Sequence, residues 1–365
     1  MPPLTRLAQT LPSTVPFTGP EALERRQGHP FRARLGANES LFGPSPKAID
    51  AMARAAAEVW MYGDPEVHDL KAALAAHHAT TPDHIVAGEG IDGLLGLLVR
   101  LMVSPGDPVV TSDGAYPTFN FHVAGFGGVL HKVPYRANHE DPEALLAKAK
   151  ATGARLLYLA NPDNPMGSQH PADVIEDLAA QMPGDTLLVL DEAYADLSPH
   201  PLPRIDPGHP NVIRLRSFSK AYGLAGLRAG YAIAAPDLAG AFNKVRNHFG
   251  LGRIAQAGAL AALNDQVWLS QVQAQNVRAR ARLARIAADN GLAALASATN
   301  FVTVDCGAGG DYSRAVLAAL ACDGVFVRMP GTAPLDRCIR ISLGPDPILD
   351  ILAEALPRAL AAARG

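Results

Sequence analysis

The chain has 365 residues, 48% of them hydrophobic and 18% charged, with a formal net charge of -3. That is enough for a large core and a second, smaller unit, and it offers no basic field for a nucleic acid or other polyanion. The start, MPPLTRLAQTLPSTVPFTG, lacks the apolar stretch of a secretory signal, and the longest apolar run, LLGLLVRLMV at 94–103, holds Arg100 and is too short for a bilayer. A cytoplasmic protein with no membrane partner is therefore expected. Cys306, Cys322 and Cys338 form no C-x-x-C and are odd in number, which predicts core thiols and neither disulfides nor a metal site.

Residues 1–35, proline-rich and weakly periodic, read as an arm. From about residue 84 to 235, within a large domain read as 36–250, short β-branched or apolar runs alternate with helix-length amphipathic segments. HIVAGEG, DPVVTSD, GVLHKVPY, ARLLYLANP, TLLVLDEAY, NVIRLRSFS and AGYAIAAP read as strands, and 91–103, 141–152 and 171–182 as helices between them. Several of the runs are apolar throughout, which suits strands buried on both faces. The prediction is an α/β domain with a mostly parallel central sheet. The Ala-rich segment 251–296 reads as linking helices, on which Arg278, Arg282 and Arg285 share a solvated face. From 297 to 365 the order becomes strand, helix, strand, strand, helix: a smaller α+β domain at the C-terminus.

Lys220 invites two chemistries. Ser217-Phe218-Ser219-Lys220 fits the S-x-x-K of a serine acyl-transfer enzyme, but that site needs partner motifs, and the chain has SDG at 112–114 and no K-T-G. Read forward, Lys220 ends a strand and is followed by glycines and Arg228, as suits a lysine holding an aldehyde cofactor whose phosphate the arginine clamps. Asp191, ending LLVLD, either caps a turn or stands against a pyridinium nitrogen. Asn164, in NPDNPMG, makes an Asx turn or donates to a phenolate oxygen. Strand ends of a parallel sheet converge on one crevice, so Lys220, Asp191 and Asn164 can meet there. Gly88, Gly90 and Gly93 fit G-x-G-x-x-G, with Asp113 20 residues after Gly93, so an NAD-dependent oxidoreductase competes. A nicotinamide reading leaves Lys220, Arg228, Asp191 and Asn164 without roles.

Taken together in this order, NPDNPMG, DEAY, SFSKAYGLAGLRAG and CIRISLG resemble the pyridoxal-5'-phosphate (PLP) enzymes of the aspartate aminotransferase fold, nearest to the histidinol-phosphate aminotransferases. The resemblance runs from RLGANESLFGPSP at 34 to the C-terminus and makes 36–250 a large PLP-binding domain. It implies that Lys220 carries the cofactor, that Asp191 partners the ring nitrogen, and that Asn164 and Tyr194 donate to the ring hydroxyl. Tyr116 would stack on the ring. Ser217, Ser219, Arg228 and the backbone of Ile91, Asp92 and Gly93 would cradle the phosphate. Tyr62, in WMYGDPEVHDLK, is similar to the tyrosine that reaches the neighbouring subunit's cofactor, which implies a homodimer. Arg340 would hold the substrate α-carboxylate, Arg328 a substrate phosphate, and Asn38 lies in the segment that closes over the substrate. The activity implied is transfer of an amino group between the glutamate/2-oxoglutarate pair and histidinol phosphate/imidazole acetol phosphate, a step of histidine biosynthesis. Two departures bear on the substrate. Pro16-Phe17 stands where the family carries Pro-Tyr, and NHFGLGR at 247–253 replaces a second Pro-Tyr. An aromatic or general amino-acid aminotransferase, or a phospho-amino-acid decarboxylase of the same fold, therefore stays open.

Overall fold

The computed structural model describes residues 2–13 and 17–364. In chain order the strands are β1 (Ala33–Arg34), β2 (Ile85–Gly88), β3 (Pro108–Ser112), β4 (Val129–Val133), β5 (Leu156–Ala160) and β6 (Leu187–Asp191). They continue as β7 (Val212–Ser217), β8 (Gly230–Ile233), β9 (Ala293–Ala294), β10 (Phe301–Asp305), β11 (Val325–Phe326) and β12 (Cys338–Ser342).

Seven strands form the central sheet in the order β2-β8-β7-β6-β5-β3-β4. Every pairing from β7 to β4 is parallel, and only β8 runs antiparallel to both its neighbours. β5 and β6 are buried at every position, as their unbroken LLYLA and LLVLD runs require. One face of the sheet is covered by the helices Gly90–Met102 and Pro117–Gly125. The first presents Ile91, Leu94, Leu95, Leu98 and Val99, the spacing of a single buried helical face. The other face takes Leu145 and Ala149 from Pro142–Thr152, and Ile175 and Leu178 from Ala172–Ala180. Each fully buried leucine there contributes about 1.5–3 kcal/mol.

β7 departs from the apolar pattern. Arg214 and Arg216 point to one face, where Glu192 meets them at 2.9 and 3.5 Å and Asp196 takes Arg216 at 3.2 Å. Such charges are tolerated inside because they are paired.

The C-terminal layer holds the antiparallel sheet β12-β10-β9 and the parallel pair β1-β11. Its core joins Val302, Val304, Ile339 and Leu352 with Leu283 and Ile286 of the long helix Gln266–Asp289 and with Ala33 and Leu35. Arg282 does not lie free on that helix: it pairs with Asp346 at 2.5 Å and with Asp350, at the start of the helix Asp346–Ala362. Cys306 and Cys338 are buried, whereas Cys322 is exposed, so only two of the thiols belong to the core. Among the described residues no helix is long and apolar enough to cross a membrane, and no His, Cys, Asp or Glu cluster could hold a metal.

Candidate active site

Since β8 is antiparallel to both β2 and β7, the strands β2, β3, β5, β6 and β7 all end on one edge of the sheet. A cavity of about 420 Å³ opens there, between that edge and the C-terminal layer. Ile91 and Asp92 follow β2, Tyr116 follows β3, Asn164 follows β5, Asp191 ends β6, and Ser217, Ser219 and Lys220 come from the end of β7. Phe17, Asn38, Arg328 and Arg340 face them.

The Lys220 Nζ donates to the Asn38 carbonyl at 3.1 Å and stands 5.5 Å from the Tyr194 ring centre. Burial, and then the nearby Arg340 charge, bring its amine down to about 8. Asp191 is 5% exposed. Its carboxylate accepts from the Tyr158 hydroxyl at 2.7 Å and the Ala193 amide at 2.9 Å. Burial nevertheless lifts it to about 6, because two neutral donors do not replace water around an anion. Asn164 accepts from Arg340 through its carboxamide oxygen, so its amide nitrogen is turned away from that cation. The Tyr194 hydroxyl accepts from Asn38 Nδ2 at 3.0 Å, and burial raises it to about 12.

At the other end of the cavity Gly90 opens a helix at φ +75°, and a Cβ there would lie 2.5 Å from Arg228 Nη2. Only glycine gives that left-handed turn and that approach at low cost. Arg228, itself at φ +54°, donates to the Ala225 carbonyl at 3.1 Å and to Ser219 Oγ at 3.4 Å, and stands 3.7 Å from Asp92. Ser217 Oγ accepts from the Ser219 amide at 3.0 Å, which makes it part of a turn and not a nucleophile poised beside a base. The free amides of the helix start, two hydroxyls and a guanidinium suit an anion. Tyr116 donates to Asp92 at 3.3 Å and stacks on Phe17 with ring centres 6.3 Å apart.

Arg328 and Arg340 face each other across an antiparallel bridge, closed by backbone bonds of 3.2 and 2.6 Å. Directly opposed residues project to one side, so both guanidinium groups enter the same cavity. Burial brings Arg340 down to about 10, and its Nε has no partner among the described residues. Arg328 donates to the Thr18 carbonyl at 2.9 Å and lies 5.6 Å from the rings of both Phe17 and Phe326.

Two sequence-predicted residues are not on the cavity wall. Gly93 lies a turn-third further along its helix than Asp92 and packs toward Glu89. Tyr62 is 77% exposed and its ring lies tilted against Phe249, centres 4.7 Å apart, beside a separate depression lined by Glu58 and Arg253. Residues 247–253 therefore stand beside Tyr62 and not against Lys220. Phe17 does line the cavity, while Pro16 lies outside the described residues. Tyr158, which orients Asp191, was not singled out from the sequence, because in the middle of LLYLA it reads as core. The G-x-G-x-x-G run follows an edge strand paired antiparallel, and not the central parallel strand that a dinucleotide site is built on; Asp113 pairs with Lys132 at 3.1 Å.

The family described as "Aminotransferase class I and II" matches residues 33–356. A histidinol-phosphate aminotransferase of Moorella thermoacetica is 34% identical over 335 residues, 90% of this chain and 86% of that one. A solved histidinol-phosphate aminotransferase of Sinorhizobium meliloti, in complex with pyridoxal-5'-phosphate, is 56% identical with a TM-score of 0.95, covering 98% of this chain and 97% of that one. A single mutant of Thermus thermophilus aspartate aminotransferase shares 25% identity at a TM-score of 0.83 over 99% of this chain and 100% of that one.

Proposed function

The chain belongs to the class I and II aminotransferases, and we propose that it uses PLP to move an amino group between the glutamate/2-oxoglutarate pair and histidinol phosphate/imidazole acetol phosphate. The observation that carries the substrate is the bridged pair Arg328 and Arg340, two cations entering one cavity beside Lys220 and Asp191. Histidinol phosphate has no carboxylate, and its phosphate needs a cation that a plain amino acid does not.

The residues fit the cofactor. Asp191 is a buried carboxylate to which, among the described residues, no cation is hydrogen-bonded, and a protonated ring nitrogen would supply one. Gly90 keeps open a space next to Arg228 that a Cβ would fill, at a helix start suited to phosphate. Asn38 Oδ1 and Arg340 Nε are buried polar atoms at the substrate end without partners among the described residues. When bound, the cofactor supplies an aldehyde that takes up the amino group and a ring that draws electrons from the broken bond.

The chain's own groups do the rest. Asp191 keeps the ring nitrogen protonated, and Tyr158 and the Ala193 amide hold its carboxylate in place. Asn164 and Tyr194 fix the ring hydroxyl, and Tyr116 covers one ring face. Ser217, Ser219, Arg228 and the amides of Ile91 and Asp92 bind the phosphate. Arg340 holds the donor's α-carboxylate as a bidentate pair, which fixes the direction of its Cα–H bond. Lys220, whose depressed pKa leaves a neutral amine near pH 8, then takes the proton from that Cα.

The working unit in this reading is a cytoplasmic homodimer. Val59, Trp60, Tyr62 and Phe249 are 60, 81, 77 and 47% exposed, an apolar patch of the kind a partner covers, and Tyr62 would serve the other subunit's phosphate site. Phe17 favours a second reading, an aromatic amino donor, since it gives the cavity an aromatic wall with no hydroxyl for a phosphate. A panel of amino donors decides between them: the PLP-loaded protein is mixed with histidinol phosphate, glutamate, phenylalanine or tyrosine, and loss of the visible cofactor band is followed. Rapid conversion by histidinol phosphate and glutamate is expected. Conversion by the aromatic amino acids with none by histidinol phosphate would replace the substrate, and no band at all would refute the reading.

A further inference from the structure

The loop that carries Asn164 is tied at both ends to one residue outside the cavity. The β3-β5 ladder stops at Val110–Leu157, although β5 runs on to Ala160, so the amide of Ala160 has no strand partner on that side. Glu140, 1% exposed, fills the gap: its Oε1 accepts from the Ala160 amide at 2.9 Å, and its Oε2 lies 2.5 Å from Ser112 Oγ at the end of β3. Its carbonyl meets His170 Nε2 at 2.8 Å. His170 closes the loop on itself, its amide donating to Asn161 Oδ1 at 2.8 Å and its carbonyl accepting from Asn161 Nδ2 at 3.3 Å. Between these ends stands Asn164, with Asp163 beside it bonded to the Tyr135 hydroxyl at 2.8 Å and the Met166 amide at 3.0 Å.

We propose that Glu140 is a positioning residue for Asn164: it clamps the first and last residues of the 160–170 segment and so fixes the amide that meets the cofactor's ring oxygen. This rests on PLP occupying the cavity. The clamp is built from short contacts to two donors, the Ala160 amide and the Ser112 hydroxyl. Asp163, Asp191, Tyr135, Tyr158 and Ser112 face it, His170 reaches only its backbone carbonyl, and among the described residues no cation pairs with the carboxyl; burial, then the Asp163 charge, push it well up.

The test follows the pH midpoint at which the visible band of the PLP-loaded protein changes. Asn164 donates to the oxygen that gains negative charge on deprotonation, so a displaced Asn164 raises that midpoint. Glu140→Leu, which cannot accept from Ala160, should move it up by about half to one pH unit, the worth of one neutral hydrogen bond, in the direction of Asn164→Ala. His170→Ala, which releases only the far end, should move it the same way by less, and it carries the test if Glu140→Leu does not fold. Glu140→Gln keeps both contacts and should match wild type. Midpoints at the wild-type value in Glu140→Leu and His170→Ala, whatever their melting temperatures, would overturn the proposal, as would a Glu140→Gln shift equal to that of Glu140→Leu. Amide exchange of Ala160 in the cofactor-free protein reads the clamp without PLP. Acceleration of about tenfold in Glu140→Leu is expected, and unchanged exchange contradicts the clamp itself, separately from any failure to bind PLP.

Discussion

Replacing Asp191 with asparagine should stabilise the empty protein and cripple the loaded one. The carboxyl stands at about 6 against an ordinary 3.8, a rise of about two units, or about 3 kcal/mol at 1.36 kcal/mol each. With the native value raised, stability from this group is full below pH 3.8 and is lost as pH climbs through 6, so the whole cost is present at pH 8. Asparagine removes the charge and can still accept from the Ala193 amide through its oxygen. Cofactor-free Asp191→Asn should therefore be about 1–3 kcal/mol more stable than wild type at pH 8, with the advantage gone near pH 4. PLP should reverse the order, because only the carboxylate gains from a cationic ring, and turnover should fall by orders of magnitude. Urea melts of empty and loaded protein at both pH values, with kcat beside them, make the check. An empty variant less stable than wild type at pH 8, with an undiminished gain from PLP and near-normal turnover, would remove Asp191 from the site.

The rate at which empty protein captures PLP should rise with pH to a plateau with a midpoint near 8, since only the neutral Lys220 amine attacks; stopped-flow rates still climbing beyond pH 9.5 would contradict the depressed lysine. Arg328→Gln should lower kcat/KM for histidinol phosphate at least about tenfold, with a smaller loss for glutamate, whose α-carboxylate keeps Arg340; equal losses would take the phosphate away from Arg328. Mixing inactive Lys220→Ala with an inactive Tyr62 variant should regenerate activity through hetero-dimers holding one complete site. A mixture as dead as its parents, or an active monomer in sedimentation, would refute the shared site.

Much of the sheet was legible because a strand buried on both faces must be apolar throughout, as LLYLA and LLVLD are. The helices Pro20–Gln27, Pro46–Ala56, His68–His77 and Pro117–Gly125 were not identified. Pro46 behind the capping Ser45 was a readable start signal, but Pro117–Gly125 has no single apolar face to betray it. The antiparallel direction of β8 follows from no local pattern, since GYAI suits either pairing. At the site, Lys220, Asp191 and Asn164 were legible as strand-end polar residues facing one crevice. Tyr158 and Glu140 were not, because their roles depend on which strand lies beside which: Glu140 acts where β3 leaves β5, 20 residues further along the chain at Ala160. The opposition of Arg328 and Arg340 likewise depends on a bridge between segments 12 residues apart.

The central claim is that Lys220 carries the cofactor, and borohydride reduction of the PLP-loaded protein followed by peptide mapping tests it directly. A single pyridoxyl label on the peptide containing Lys220, absent from Lys220→Ala, is predicted. A label on Lys132 or Lys244 instead, or no label on any lysine, would contradict the account.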